Sequence, residues 1–470
     1  MTIARPGDNR WAAVLTAAAL AVAAAGPAAA AAPRPNVVLV LTDDQTLESM
    51  RVMVQTRRLL GDEGTTYARA VVADPLCCPS RATVLTGQYP HNHGVLTNRP
   101  PDGGYARLDH ARTLPVWLQA AGYATAHVGK YLNGYGVDGD PTPPPGWSRW
   151  FGLMEPSTVY FDWTASADGE VESFGDAPAD YQTDVLAERA ADLVRELARD
   201  TRPFFLSVAP IAPHLERSDD EGKGTPPLPA PRHAGRFAAA PLPASPAFDE
   251  PDVGDKPRHI RRLPRLSTAA RQRAERLYRA RLESLLAVDD LVARLVDALA
   301  ESGVLERTVV VYTSDNGFFL GEHRVPDGKV LPYEEASHVP LLVRGPGFGA
   351  GAVVERLVSL VDLAPTIVEL AGASPDRVMD GRSLLAPGGG DRAVLIEAAG
   401  RNSARPPYAA VRTARWLWVE YRNGDRELYD LARDPRQLKS LHAVRRWQGV
   451  RAQLAAILAR LRDCAGASCG

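Results

Sequence analysis

A short, continuous run of apolar residues near the start of the chain limits the folds available to it most strongly. Asn36 to Leu41 reads Asn-Val-Val-Leu-Val-Leu, without the alternation of a half-exposed strand. Such a run is typical of a fully buried strand in the centre of a parallel sheet. Similar runs recur at residues 123–128, 204–209 and 309–313, with helical periodicity between them. Together they predict an α/β fold built on a large sheet.

Residues that carry chemistry follow each of these runs. They are Asp43 and Asp44, Lys130, His214, and Asp315 with Asn316. Ligands bind at the carboxyl edge of open α/β sheets, and carboxylates there are costly unless a cation holds them. Simpler interpretations stay open, since an aspartate pair also suits a helix N-cap, and lone lysines and histidines are usually structural.

A cysteine precedes a helix start in the stretch 76–87, which reads Leu-Cys-Cys-Pro-Ser-Arg-Ala-Thr-Val-Leu-Thr-Gly. A helix N-terminus offers unpaired N–H groups and a partial positive charge, and Arg81 adds a permanent cation. A nucleophile at Cys77 would therefore meet an anionic substrate. Considered alone, Cys77 is better interpreted as a buried structural cysteine at a strand–helix corner.

Residues 1–32 have the order of a secretory signal peptide. Arg5 and Arg10 precede an apolar, alanine-rich run at 11–25, and small residues continue to Ala32. The alternative is a membrane anchor, but the run is shorter than the roughly 20 residues that a span needs. We therefore expect export to the cell envelope or medium, and no later stretch predicts a stable membrane span.

Length and charge limit the remaining possibilities. The 470 residues suffice for a large domain and a smaller one. The formal net charge of -2 provides no overall positive potential that would favour binding of nucleic acid. We expect the large domain at 33–385 and a smaller one at 386–470, where short alternating runs predict an antiparallel sheet followed by a closing helix. Residues 141–180 and the proline-rich stretch 217–265 are expected to form substrate-facing loops.

The four cysteines divide into two pairs. Cys464 and Cys469 lie close together near the C-terminus, and in an exported protein we expect them to form a small disulfide. Cys77 belongs to the helix-start motif, and Cys78 is interpreted as a small buried hydrophobe.

The stretch 77–87, Cys-x-Pro-Ser-Arg followed by Leu-Thr-Gly, resembles the signature of the type I sulfatases. The resemblance implies that Cys77 is converted to formylglycine by a formylglycine-generating enzyme. Its continuation through Gly94 resembles the branch of N-acetylglucosamine-6-sulfatases and heparan 6-O-endosulfatases. The implied fold is α/β and alkaline-phosphatase-like, with a large mixed sheet flanked by helices and a smaller C-terminal α+β subdomain.

The resemblance also implies roles for the polar residues. Lys130 matches a sulfate-binding lysine, and His214 in Ala-Pro-His matches a catalytic histidine. Many relatives have a histidine two residues after the lysine, where this chain has Leu132. Lys-Tyr-Leu-Asn resembles the glucosamine-6-sulfatase branch instead, so we expect Asn133 to make a polar contact with substrate. Lys329 resembles the second sulfate-binding lysine.

A metal site follows from the same motifs. The predicted ligands are Asp43, Asp44, the modified Cys77, Asp315 and Asn316. Oxygen ligands select a hard cation, and an irregular set favours Ca²⁺ over Mg²⁺. The resemblance to sulfatases also implies calcium.

The implied activity is hydrolysis of a sulfate ester of a sugar, such as N-acetylglucosamine 6-sulfate, or of an aryl sulfate. Lys130 and Lys329 would bind the sulfate, Arg81 would hold the formylglycine, and His214 would protonate the leaving oxygen. The base for sulfate elimination stays open, with His91 and His93 as candidates. Two alternatives are a phosphate or phosphonate ester hydrolase of the same superfamily and a non-catalytic, secreted glycan-binding protein.

Overall fold

Ten strands form one mixed sheet in the computed structural model, which describes residues 34–216, 224–388, 392–399 and 405–470. The predicted signal peptide lies outside these residues. The strands are β1 (Asn36–Thr42), β2 (Thr65–Val71), β3 (Ala124–Gly129), β4 (Arg149–Leu153), β5 (Trp163–Ala167), β6 (Glu170–Phe174), β7 (Phe204–Ala209), β8 (Thr308–Ser314), β9 (Leu341–Arg344) and β10 (Ala352–Ser359).

The order across this sheet is β10-β2-β9-β8-β1-β7-β3-β4-β5-β6. Strands β8, β1, β7 and β3 are consecutive parallel neighbours, so the four apolar runs lie side by side. Strands β9 and β5 run antiparallel to their neighbours, which makes the sheet mixed. The predicted fold class is confirmed, and the carboxyl ends of the four central strands meet at one edge.

Helices cover both faces of the sheet. Those of seven or more residues in the described part of the chain are α1 (Cys77–Thr86), α2 (Leu114–Ala120), α3 (Gln182–Leu197), α4 (Thr268–Glu301), α5 (Leu363–Ala371) and α6 (Gln448–Leu461). Shorter α-helical segments are Val54–Thr56, Pro90–His93, Arg258–Arg261 and Glu334–Ser337. Val38 and Val40 of β1 pack in the core with α3 and α4, whereas Val37 and Leu39 pack in the core with α1, α2 and α5. This alternation explains why β1 is apolar at every position.

A second, antiparallel sheet follows in the C-terminal region. Its strands are β11 (Val394–Ala398), β12 (Tyr408–Arg412), β13 (Trp416–Tyr421) and β14 (Arg426–Asp430), and α6 packs against it. Beyond α6, Cys464 and Cys469 are joined by a disulfide bond. The domain boundary near residue 385 stays a prediction. Within the described residues, no helix combines the length and the apolar character needed to cross a bilayer.

The segment expected as a loop at 141–180 instead contains β4, β5 and β6. β5 and β6 form a hairpin whose turn residues, Asp168 and Gly169, both have positive φ, at 50° and 100°. This is the backbone that a two-residue hairpin turn requires. β6 is polar and largely exposed at the sheet edge, which is why its sequence lacks the apolar signal of the central strands. The described part of 217–265 contains only short helical segments.

Candidate active site

The ends of the four central parallel strands bring the predicted polar residues together. Asp43 and Asp44 follow β1, Lys130 follows β3, and Asp315 follows β8. His214 lies just beyond β7 and places Nε2 3.6 Å from Oδ2 of Asp44. Residues far apart in the sequence therefore form one cluster because parallel neighbours end at the same sheet edge.

Cys77 is the first residue of α1, and its side chain faces this cluster. Sγ lies 3.4 Å from Oδ1 of Asp43 and 2.8 Å from Nζ of Lys329. Burial, together with the carboxylate of Asp43, raises the pKa of the Cys77 thiol well above its ordinary value. The unmodified thiol is therefore neutral at physiological pH and a weak nucleophile.

Buried cations hold the first two carboxylates ionised. Burial alone would raise the pKa of Asp43, but Lys130, with Nζ 2.5 Å from Oδ2, His214, Arg81 and Lys329 together hold it well below its ordinary value. Nζ of Lys329 donates to Oδ1 of Asp44, and the pKa of Asp44 is lowered despite its burial. The site therefore contains closely spaced positive and negative charges, and this arrangement is compatible with binding of a metal ion and of an anion.

Asp315 has a different environment. Its Oδ2 accepts from Nε of Arg81 at 2.7 Å, and its Oδ1 accepts from the backbone N–H of Asp44 at 3.1 Å. Burial and the nearby Asp43 carboxylate outweigh Arg81 and raise the pKa of Asp315 to about 6. Arg81 also donates to the carbonyl of Lys130 at 2.8 Å, so it links the ends of β3 and β8.

The carboxylate and amide oxygens of the cluster fit a hard divalent cation. Asp43, Asp44, Cys77 and His214 each place one ligand atom within 4.8 Å of the others. The side chain of Asn316 lies 2.6 Å from Asp44, and its Oδ1 is buried without a hydrogen-bond partner in the described residues. An unpaired amide oxygen beside carboxylates is what Ca²⁺ or Mg²⁺ would satisfy. The sequence analysis predicted His214 as a catalytic residue and not as a metal ligand, whereas the structure places it close enough to contact such an ion.

His214 has one ring nitrogen fixed and one facing the cluster. Nδ1 lies 2.6 Å from the carbonyl of Leu215, and because a carbonyl only accepts, Nδ1 carries the proton in the neutral ring. Nε2 is then unprotonated in the neutral ring, faces Asp44, and can gain a proton. Burial lowers the pKa of His214, with Asp43 and Asp44 acting in the opposite direction.

Asn133 lies beside Cys78 rather than against the charged cluster. Its Oδ1 is 3.2 Å from the Cys78 thiol, and its backbone N–H donates to the same sulfur at 3.2 Å. The backbone N–H of Cys78 in turn donates to Oδ1 of Asn98 at 2.9 Å. Cys78 therefore joins α1 to two loops through polar contacts. A substrate contact by Asn133 stays a prediction.

The two histidines considered as elimination bases have other partners. His91 contacts Glu397 at 2.7 Å and the carbonyl of Cys464 at 3.0 Å, so it connects the segment after α1 to the C-terminal region. His93 is buried, with Nε2 3.1 Å from Oγ1 of Thr83, and burial lowers its pKa to about 3. Their polar contacts indicate structural roles.

Comparisons with known proteins agree with this fold and site. A family model described as Sulfatase matches residues 35–373, and one described as N-sulphoglucosamine sulphohydrolase, C-terminal, matches 321–464. An arylsulfatase of Volvox carteri is 36% identical over 93% of this chain and 76% of its own length. The N-acetylglucosamine-6-sulfatase of Homo sapiens is 35% identical over 87% of this chain and 81% of its own.

Solved structures show the same fold. BT4656, in complex with D-glucosamine-2-N,6-O-disulfate, matches with a TM-score of 0.77 and 24% identity over 91% of this chain and 97% of its own. A phosphonate monoester hydrolase of Agrobacterium radiobacter matches with a TM-score of 0.65 and 23% identity over 91% and 95%. The chain belongs to the sulfatase family. It is a sulfatase, a hydrolase of sulfuric esters, and its family implies a metal ion and a formylglycine.

Proposed function

We propose that this sulfatase removes sulfate from a sugar, with 6-O-sulfated glucosamine as the leading substrate and aryl sulfates as additional ones. The observation that carries the proposal is the position of Cys77, at the N-terminus of α1 between Asp43 and Lys329. The similarity to the human N-acetylglucosamine-6-sulfatase supports the choice of sugar.

Formylglycine made from Cys77 is the proposed nucleophile, after maturation by a formylglycine-generating enzyme. When hydrated, this group would supply a geminal pair of hydroxyls as the nucleophile for the sulfate ester. The raised pKa of the unmodified thiol supports this proposal, because a neutral cysteine would attack a sulfate ester poorly.

Asp43, Asp44, Asp315 and Asn316, with the modified residue 77, are the proposed ligands of a calcium ion. A bound divalent cation lowers the pKa of an adjacent hydroxyl and offsets negative charge in the transition state. Calcium is favoured over Mg²⁺ because it accepts irregular sets of oxygen ligands, whereas Mg²⁺ demands near-octahedral geometry.

The remaining residues act on the sulfate and its leaving group. Lys130 and Lys329 supply the positive charge that attracts the sulfate oxygens. In its protonated form, in which Asp43 and Asp44 favour the positive charge, His214 would deliver a proton from Nε2 to the leaving oxygen while its Nδ1–H stays bound to the Leu215 carbonyl. Arg81 keeps Asp315 and the Lys130 carbonyl in place.

A direct test combines mass spectrometry with a substrate panel. The protein is produced with a formylglycine-generating enzyme, and the peptide that contains Cys77 is examined for conversion of thiol to aldehyde. Release of sulfate, phosphate or phosphonate is then measured on glucosamine 6-sulfates, other sulfated sugars, an aryl sulfate, and phosphate and phosphonate esters. We expect conversion and a preference for the 6-O-sulfated amino sugar. If only another sulfated sugar were hydrolysed, 6-O-sulfated glucosamine would be the wrong substrate. If only phosphate or phosphonate esters were hydrolysed, sulfate ester hydrolysis would be the wrong reaction.

Export is proposed from the order of residues 1–32, where a basic start precedes an apolar run and small residues. N-terminal sequencing of protein recovered from the medium or envelope tests it. A mature chain that begins near residue 33 is expected. An uncleaved protein retained in the cytoplasm would contradict it.

A further inference from the structure

A buried arginine interrupts the apolar face of the long helix α4. Arg281 lies one helical turn from Leu277 and from Leu285, and all three side chains are buried, with Arg281 only 3% exposed. Burial of an unpaired guanidinium is costly, so its hydrogen bonds must compensate for lost water. Burial also lowers the pKa of Arg281 below its ordinary value.

The guanidinium of Arg281 binds two backbone carbonyls at the edge of the active site. Nη1 donates to the carbonyl of Pro213 at 2.9 Å, and Nη2 donates to the carbonyl of Asp44. The ring of Phe318 lies 4.5 Å from its Cζ atom. Among the described residues, no carboxylate oxygen lies within 4.0 Å of the Arg281 nitrogens. Arg281 therefore binds backbone carbonyls and forms no ion pair there.

Those two carbonyls belong to the segments that present the reacting groups. Pro213 directly precedes His214, and Asp44 is a proposed metal ligand. Asp44 adopts a φ of 67°, a left-handed conformation that is strained for a residue with a side chain. A donor that binds its carbonyl helps to hold this conformation. Arg281 therefore joins the ends of β1 and β7 through a single rigid group.

We propose that Arg281 is a positioning residue that fixes His214 relative to Asp44, where Nε2 and Oδ2 are 3.6 Å apart. Loss of the guanidinium would let the two segments separate and would displace the imidazole from the leaving oxygen. The inference depends on the proposed role of His214 as the proton donor. It assigns Arg281 no contact with substrate.

The test compares Arg281→Met with Arg279→Met. Arg279 lies on the same helix and also donates to a carbonyl, that of Ala240 at 2.9 Å, but away from the cluster and with a side chain 31% exposed. Values of kcat and KM are measured for a sugar 6-sulfate and for an activated aryl sulfate. A displaced catalytic group costs about 10²-fold. We expect Arg281→Met to lose about 10²-fold in kcat on the sugar ester, with little change in KM and a much smaller loss on the aryl ester.

The double variant Arg281→Met/His214→Ala separates positioning from general damage. If Arg281 acts through His214, the double variant is no slower on the sugar ester than His214→Ala alone. The inference would be overturned if the losses in kcat of Arg281→Met and His214→Ala added fully in the double variant. It would also be overturned if Arg281→Met and Arg279→Met lost the same activity. If Arg281→Met fails to fold, Arg281→Lys takes its place, and equal losses on both esters would then overturn it.

The same experiment distinguishes a failure of the proposed function. If His214→Ala alone slows the two esters equally, the role of His214 as proton donor is wrong, and the positioning inference is overturned with it. If His214→Ala discriminates between the esters and the Arg281 variants do not, only the positioning inference is wrong.

Discussion

Lys130 and Asp43 form a buried ion pair at the centre of the active site. Nζ lies 2.5 Å from Oδ2, and the side chains are 1% and 0% exposed. Burial acts to lower the pKa of Lys130, but the Asp43 carboxylate outweighs it and raises that pKa. Both groups are therefore charged. Because both are buried, water could not solvate either charge if the other were removed.

Lys130→Met should destabilise the protein as well as inactivate it. Removal of one member of a buried ion pair costs about 3–5 kcal/mol when the other charge is left unpaired. Asp43 keeps Arg81 and Lys329 at 3.6 and 3.9 Å, so we expect a loss at the lower end of that range. We expect the free energy of unfolding of the chelator-treated protein, measured by urea denaturation, to fall by about 3 kcal/mol. Lys439→Met, at an exposed position, is the control and should change it by less than about 0.5 kcal/mol. Equal stability of the two variants would show that Asp43 does not depend on Lys130.

Cys77→Ala should abolish sulfate release without unfolding the protein, because it removes the nucleophile and little core volume. Cys78→Ala should keep most of the activity. It should lower the free energy of unfolding by about 1 kcal/mol, since the sulfur that contacts Asn133 is lost. Activity assays and thermal melts of both variants check this. A reversed outcome would place the modified residue at position 78.

A chelator should inactivate the enzyme, and calcium should restore it. If calcium is the ion and binds only the folded protein, then at 100 times its dissociation constant it should stabilise the protein by about 2.7 kcal/mol. Asp315→Asn should weaken both the recovery of activity by calcium and the stabilisation by calcium, because one of few anionic ligands is lost. Asp376→Asn, at an exposed position, should change neither. Full activity of protein shown by elemental analysis to be metal-free would rule out the metal site.

The ends of the central strands could be predicted from the sequence because fully buried parallel strands leave a continuous apolar run. Once β1, β3, β7 and β8 are recognised, their carboxyl ends must meet, and Asp43, Lys130, His214 and Asp315 come together without further information. The β5–β6 hairpin was missed, although Asp168-Gly169 is a typical turn pair. Its strands are short, and β6 is exposed and polar, so periodicity alone gave no signal.

Contacts that depend on side-chain packing could not be predicted. Arg281 occupies a position with the helical spacing of the apolar face of α4, and that irregularity is a signal for a special role. The carbonyls that it binds lie 237 and 68 residues away along the chain. A single sequence does not show which distant backbone groups need a donor.

His91 should make stability depend on pH. Its ring nitrogens face Glu397 and the carbonyl of Cys464, which both accept, so the charged ring is favoured. Burial lowers the pKa of His91, but Glu397 outweighs it, with help from Asp380, and raises it to about 8 from 6.5. The raised pKa stabilises the fold fully below pH 6.5, and this contribution is lost as pH rises through about 8.

The measurement is the free energy of unfolding of the wild type and of His91→Gln between pH 6 and 9. The difference between them should shrink by about 2 kcal/mol across that window as the pH rises. The neighbouring His93 is neutral throughout, since its pKa is about 3, and Tyr89, stacked on His91, titrates higher. A difference that does not change with pH would show that His91 is not charged in the folded protein.

His214→Ala should discriminate between substrates by their leaving groups. A sugar alkoxide is a poor leaving group and needs a proton, whereas an activated phenolate leaves with little help, and general acid catalysis contributes about 10²–10⁴-fold. We expect a loss in that range on a sugar 6-sulfate and a much smaller loss on an activated aryl sulfate. The structure also places Nε2 of His214 3.6 Å from Asp44 and within the group that fits a metal ion. If His214 were instead a metal ligand, its loss would weaken calcium binding and slow both esters equally. Steady-state kinetics on the two esters, with calcium titrations of His214→Ala and the control His233→Ala, decide between the two roles.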